Sequence, residues 1–259
     1  TLGIITEMTV RLHGPPEAVS AAVCAFPDIA SAVTAVILTM QMGLPVARIE
    51  LLDAVMIRGV NAYSKMDLDE APTLFLEFHG TEAAVAETAE RVGEITAEHG
   101  ASGFRWATRA EERNRLWRAR HDAYYAGKAL RPGAKGWVTD ACVPISRLAE
   151  AIAETEADLA DSALIAPLVG HVGDGNFHLA ILLDPDDPAE RAEAERLSGR
   201  IAERALRLGG TVTGEHGIGF GKKGYMAAEH GAAWGVMGRI KRALDPEDLL
   251  NPGKLVDFN

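Results

Sequence analysis

Two histidines, a glutamate followed by a third histidine, and an arginine with a lysine are the residues of this chain whose types and spacing could do chemistry. His171 and His178 close the stretch Gly170-His171-Val172-Gly173-Asp174-Gly175-Asn176-Phe177-His178. Apolar runs flank it, and Gly-Asp-Gly-Asn is turn chemistry, so it reads as a β-hairpin. With Asp174 and Gly175 at the turn centre, His171 faces His178 across the strands. Directly opposed Cβ atoms lie about 4.5–5.5 Å apart, close enough for two imidazoles to share one ion. Val172 and Phe177 then point to the other face and pack in the core. Glu215 and His216 sit in Gly214-Glu215-His216-Gly217-Ile218-Gly219, where a glycine-rich backbone can pass close to a ligand. His171, His178 and Glu215 together suit a borderline divalent ion, zinc or manganese, and leave a coordination position open. A hydrogen-bonded pair of structural histidines is the plainer alternative.

His216 is a candidate general base, because imidazole titrates near neutrality; a hydrogen-bonded loop histidine is the plainer reading. Arg120 and Lys135 are candidate clamps for an anion, the first as a planar fork and the second as a point charge. Arg120 shares a helical face with Trp117 and Tyr124, whereas Arg113, Arg115 and Arg118 read as solvated charges. Asp174 is a turn residue with no catalytic role.

These residues need elements to position them. The chain has 259 residues, 47% hydrophobic and 24% charged, enough for one large domain or a domain with an appendage. A formal net charge of −11 excludes a nucleic-acid surface, which needs clustered Lys and Arg. No run is long and apolar enough to span a membrane, and two cysteines are too few for a disulfide framework, so a reducing, cytoplasmic setting is expected. The first residue is not Met and Leu2–Leu12 reads as a strand, so upstream sequence is expected. A helix is expected over Glu17–Ala25, then one capped by Asp28, a strand Val46–Leu52, a helix Asp53–Tyr63, a strand Thr73–His79 and a helix capped by Thr81. After a short strand at Phe104–Trp106, a single helix is expected over Ala110–Ala129 and a single strand over Lys135–Val143. Helices follow from Ser146 to Ala160, from Asp186 to Leu208 and from Trp234 to Leu244. No Gly-x-Gly-x-x-Gly follows a strand and opens a helix, which favours an α+β fold over a doubly wound nucleotide fold. The expected architecture is a largely antiparallel sheet with helices packed on one face, plus a C-terminal helical tail.

The hairpin, Thr213-Gly214-Glu215-His216-Gly217-Ile218-Gly219 and Leu250-Asn251-Pro252-Gly253-Lys254 together resemble the C-terminal half of FAD-linked 2-hydroxy-acid dehydrogenases of the vanillyl-alcohol oxidase superfamily. The resemblance implies a ferredoxin-like cap or substrate domain over residues 15–220, a segment 221–259 that returns to the flavin domain, and residues 1–14 as the end of an FAD-binding domain. It implies that His171, His178 and Glu215 hold a divalent metal and that His216 takes the substrate hydroxyl proton. Arg120, in Leu116-Trp117-Arg118-Ala119-Arg120, and Lys135 would bind the substrate carboxylate. Asn251 matches a flavin-contacting position, and Gly3 lies on the strand leading from the flavin domain.

Two positions depart from the hydroxyglutarate branch, which has Asn and Thr where this chain has Ala180 and Tyr124; Tyr124 is carried as a substrate contact. Lys135 to Ser146 looks like the lactate branch. D-lactate, oxidised to pyruvate by hydride transfer to FAD, is therefore the expected substrate, with glycolate or D-2-hydroxyglutarate as alternatives. This chain alone is expected to be inactive. The electron acceptor is unknown; a homodimer and peripheral attachment to an inner membrane are entertained. A stand-alone metal- or ligand-binding module and a metal hydrolase are the readings from other classes.

Overall fold

Four helices begin where a short polar side chain precedes an apolar-periodic run. Asp28, Asp53, Thr81 and Asp187 each accept a hydrogen bond from a first-turn backbone N–H, which satisfies a donor the helix itself cannot. The computed structural model describes residues 1–257. In chain order its elements are β1 (Ala18–Ala25), α1 (Ile29–Gln41), β2 (Val46–Leu52), α2 (Ala54–Ser64), β3 (Thr73–Gly80), α3 (Glu82–Glu98) and β4 (Ser102–Ala107). Then come α4 (Ala110–His121), α5 (Ala123–Ala129), β5 (Lys135–Val138), β6 (Ala141–Cys142), α6 (Leu148–Ala160), β7 (Leu168–His171), β8 (Asn176–Leu183), α7 (Pro188–Arg207), α8 (Met226–His230) and α9 (Ala232–Leu244). Among the described residues no helix is long and apolar enough to cross a membrane.

The strands form one sheet in the order β4-β1-β3-β2-β7-β8-β5, with β6 also on β8. Every pairing is antiparallel, as expected for the α+β class. The helical layer is not confined to one face, and that detail of the expectation is corrected. Ala22, Cys24, Leu74 and Leu76 point to a core shared with α1, α3, α6 and α7, while their strand neighbours Ala21, Val23 and Phe75 pack with Met56 and Ile57 of α2, Trp117 of α4 and Ala126 of α5. This second, partial layer leaves part of the sheet uncovered over β7, β8 and β5, and the candidate site lies there.

Four local expectations are also corrected. Glu17–Ala25 is not a helix: Ala18–Ala25 is β1, paired with β3 and β4, because pairing in mid-sheet overrides the helix preference of its alanines. Leu2–Leu12 forms no strand; the segment has no ladder partner among the described residues, and Ile5 and Leu12 are 78% and 85% exposed. The single helix over Ala110–Ala129 bends at Asp122 into α4 and α5. The strand Lys135–Val143 breaks at Thr139 and Asp140, where the Thr139 hydroxyl accepts from the Leu179 backbone N–H. The tail packs α8 and α9 back through a small core of Val212, Met226, Tyr225, Trp234 and Leu255.

Candidate active site

The hairpin has a different register from the one expected. His171 pairs with Asn176, Gly170 with Phe177 and Val169 with His178. The turn is a 3-10 segment, Val172–Asp174, closed by Gly175 at φ 76°; a Cβ there would lie 2.1 Å from the Val143 carbonyl oxygen, so only glycine fits. The register differs by two residues, which preserves the strand's alternation, so both imidazoles still share a face. Their ring centroids are 5.6 Å apart, edge to face. Val172 and Phe177 are buried in the core, as expected.

Each histidine is fixed through Nδ1. His178 Nδ1–H donates to the Thr139 carbonyl at 3.0 Å, and His171 Nδ1–H donates to Glu50 Oε1 at 2.8 Å. In the neutral rings both Nε2 atoms therefore carry lone pairs into the cleft. Glu215 Oε1 lies 3.1 Å from His178 Nε2 and 3.5 Å from His171 Nε2. An imidazole lone pair and a carboxylate oxygen are both acceptors, so between neutral rings and Glu215 this proximity is not a hydrogen bond, and among the described residues the buried His178 Nε2 has no hydrogen-bonding partner. Three acceptors converging on one point fit a divalent cation. Burial holds the His178 pKa below the usual imidazole value, while the hydrogen bond to Glu50 raises that of His171.

His216 stacks on His178 with centroids 4.9 Å apart and 18° between planes. The backbone N–H groups of Glu215 and His216 both donate to Asp140 Oδ2, at 3.1 and 2.9 Å. Asp140 also accepts from Thr213 Oγ1, Lys222 Nζ and Asn176 Nδ2. Burial alone would raise the Asp140 pKa, but these donors outweigh it and hold the carboxyl well below its usual range. With its lone pairs so used, Asp140 anchors the glycine loop rather than joining a second ligand set with His178 and His216. Gly214 is required there, since a Cβ would fall 1.9 Å from Asn176 Nδ2.

A cleft of about 410 Å³ joins His171, His178, Glu215 and His216 with Arg120 from the last turn of α4 and Tyr124 from the first turn of α5. Met56, Val138, Val169 and Ala180 supply an apolar wall. Arg120 is nearly buried and ion-paired with Glu50 at 2.7 Å, while its Nε lacks a partner among the described residues. The Tyr124 ring lies over Gly136 of β5. The structure does not bring Lys135 to this cleft: it is exposed at the far end of β5, opposite Leu183. Gly3 lies in the irregular N-terminal segment, and Asn251 occupies an exposed turn at φ 54°; neither lines the cleft. Sequence reasoning missed Glu50 and Asp140. Their signal was the one acidic residue in each of the stretches Val46–Leu52 and Lys135–Val143, at positions where a buried charge needs built-in partners.

The cleft on this antiparallel sheet thus sets a His-His-Glu cluster beside an arginine. Residues 15–255 match the family described as FAD linked oxidases, C-terminal domain, and the chain belongs to that family. It is 50% identical over its whole length to a probable mitochondrial D-lactate dehydrogenase of Danio rerio, covering 52% of that protein. It is 45% identical over 99% of its length to a mitochondrial D-lactate dehydrogenase [cytochrome] of Arabidopsis thaliana, covering 45% of it. Glycolate oxidase subunit GlcD of Escherichia coli is 34% identical over 98% of the chain and 51% of the relative. The chain thus spans about half the length of these relatives. The fold is shared with 4-ethylphenol oxidase of Gulosibacter chungangensis (TM-score 0.68, 18% identity, 93% of this chain and 54% of that one).

Proposed function

We propose that this chain is the substrate- and metal-binding part of an FAD-dependent enzyme that oxidises D-lactate to pyruvate. The observation that carries the reading is the convergence of His171 Nε2, His178 Nε2 and Glu215 Oε1 in one cleft with His216 and Arg120. The family and the names of the relatives support it. When bound, a divalent ion supplies Lewis acidity toward substrate oxygens, and FAD supplies the hydride acceptor. Arg120 would bind the substrate carboxylate through donors that Glu50 leaves free, and Tyr124 would close the cleft on that side. His216 would take the hydroxyl proton as the α-hydrogen leaves as hydride, giving the 2-oxo acid. The wall of Met56, Val138, Val169 and Ala180 would face the substrate tail. It suits a methyl group and offers no partner to the second carboxylate of D-2-hydroxyglutarate. Lys135 has no place in this arrangement. Flavin contacts from Asn251 and Gly3, on surfaces away from the cleft, belong to the same proposal, as do a cytoplasmic location and a homodimer.

Dye-linked oxidation of D-lactate, glycolate and D-2-hydroxyglutarate by the longer protein tests this. The expected order of kcat/KM is D-lactate, then glycolate, then D-2-hydroxyglutarate. Activity should be lost on chelation and restored by zinc or manganese. Preference for the dicarboxylate, or full activity after chelation, would overturn it.

A further inference from the structure

One carboxylate behind the cleft, in contact with two of its lining residues, is used by neither the metal reading nor the proton transfer. Glu50 interrupts the run Val46-Ala47-Arg48-Ile49-Glu50-Leu51-Leu52 on β2, in mid-sheet. β2 pairs with β7 through Leu51 and Gly170, and one further step of that register sets Glu50 against His171. The side chain is only 12% exposed, so its charge must be met by the protein. It is met twice: Oε1 accepts from His171 Nδ1–H and Oε2 accepts from the Arg120 guanidinium.

We infer that Glu50 is the shared positioning residue of the cleft, fixing His171 in the Nδ1–H tautomer with Nε2 facing Glu215 while it holds the Arg120 guanidinium beside the same space. A neutral imidazole without a partner at Nδ1 exchanges between tautomers, and the Nε2–H form would aim a proton rather than a lone pair at Glu215. His178 has its own lock, the Thr139 carbonyl, so the two imidazoles are set independently. Without Glu50, Arg120 would keep a nearly buried charge with no counter-ion. The carboxylate therefore couples the cation-binding half of the cleft to its anion-binding half. The consequence for metal rests on the proposed function; the tautomer does not.

Long-range 1H–15N correlation spectra of the histidine-labelled 259-residue chain, recorded where the imidazoles are neutral, read the tautomer directly. In the unmodified protein His171 should be protonated at Nδ1 alone. In Glu50→Gln, whose single acceptor oxygen cannot serve both partners, and in Glu50→Asp, which draws back by one methylene, His171 should become a mixture while His178 stays unchanged. Zinc alone, titrated by competition, should bind about 10–100-fold more weakly to the variants. Oxalate, an unreactive carboxylate probe, should also bind more weakly; unchanged oxalate binding would remove Arg120 from the inference. If Glu50→Gln does not fold, Glu50→Asp carries the test. A folded variant that keeps His171 in the Nδ1–H form would overturn the inference. Failure of the unmodified chain to bind zinc would overturn the metal reading alone, and the tautomer would still decide the role of Glu50.

Discussion

At the scale of single residues, Arg120 and Lys135 have parted company. Both look like anion clamps in the sequence, but only Arg120 reaches the cleft. A hydrogen bond to a charged group is worth roughly 1.5–3 kcal/mol, so in the complete enzyme Arg120→Ala should lower kcat/KM for D-lactate by about one to two orders of magnitude. Lys135→Ala should leave it within about twofold, since exposed substitutions away from a site are nearly neutral. Steady-state kinetics of the pair checks both, and equal losses would bring Lys135 back into the site. His216→Ala should depress kcat more than it raises KM, because a base acts on the transition state rather than on ground-state binding. A change in KM alone would make His216 a binding residue.

Two elements carry the precision of the site. The glycine loop is held by one buried carboxylate, so Asp140→Ala should cost about 3–5 kcal/mol of stability, measured by denaturant unfolding, by stranding Lys222 and several loop donors. The second element is α2, whose cap, Asp53, is buried and has its pKa pushed up to about 7. Burial is the main cause, against the backbone N–H of Met56. The folded chain then keeps this proton until about pH 7, whereas the unfolded chain releases it near pH 4. Stability from this group is therefore full below pH 4 and falls as the pH rises through that window. Asp53→Asn keeps a capping oxygen and removes the charge, so it should raise the Tm at pH 8 by several degrees and change little at pH 4. A melting curve at each pH settles it; a larger gain at pH 4 would contradict the assignment. Asp28 and Thr81 were legible as caps because their signal is local. β1 was not, because Ala-Val-Ser-Ala-Ala-Val-Cys-Ala prefers a helix until neighbouring strands claim it. The hairpin register was off by two residues, yet its chemistry survived because a shift of two leaves every side chain on its own face.

Across the whole molecule, the partial helical layer of α2, α4 and α5 turns one sheet face into a cleft, and the bend at Asp122 lets Arg120 and Tyr124 approach it from successive helices. Periodicity revealed the longer helices but not which face they cover, because that depends on pairings far apart in the chain. The motif residues His171, His178, Glu215 and His216 were legible from type and spacing, whereas Glu50 and Asp140 became visible only through their partners. The central claim is that the first three of these form one cation site. Elemental analysis of the purified chain and of its His178→Ala variant tests it most directly, with circular dichroism confirming that both are folded. The expected result is about one zinc or manganese ion per unmodified chain and a content reduced to about a tenth or less in the variant. Equal metal content in the two proteins would contradict the claim.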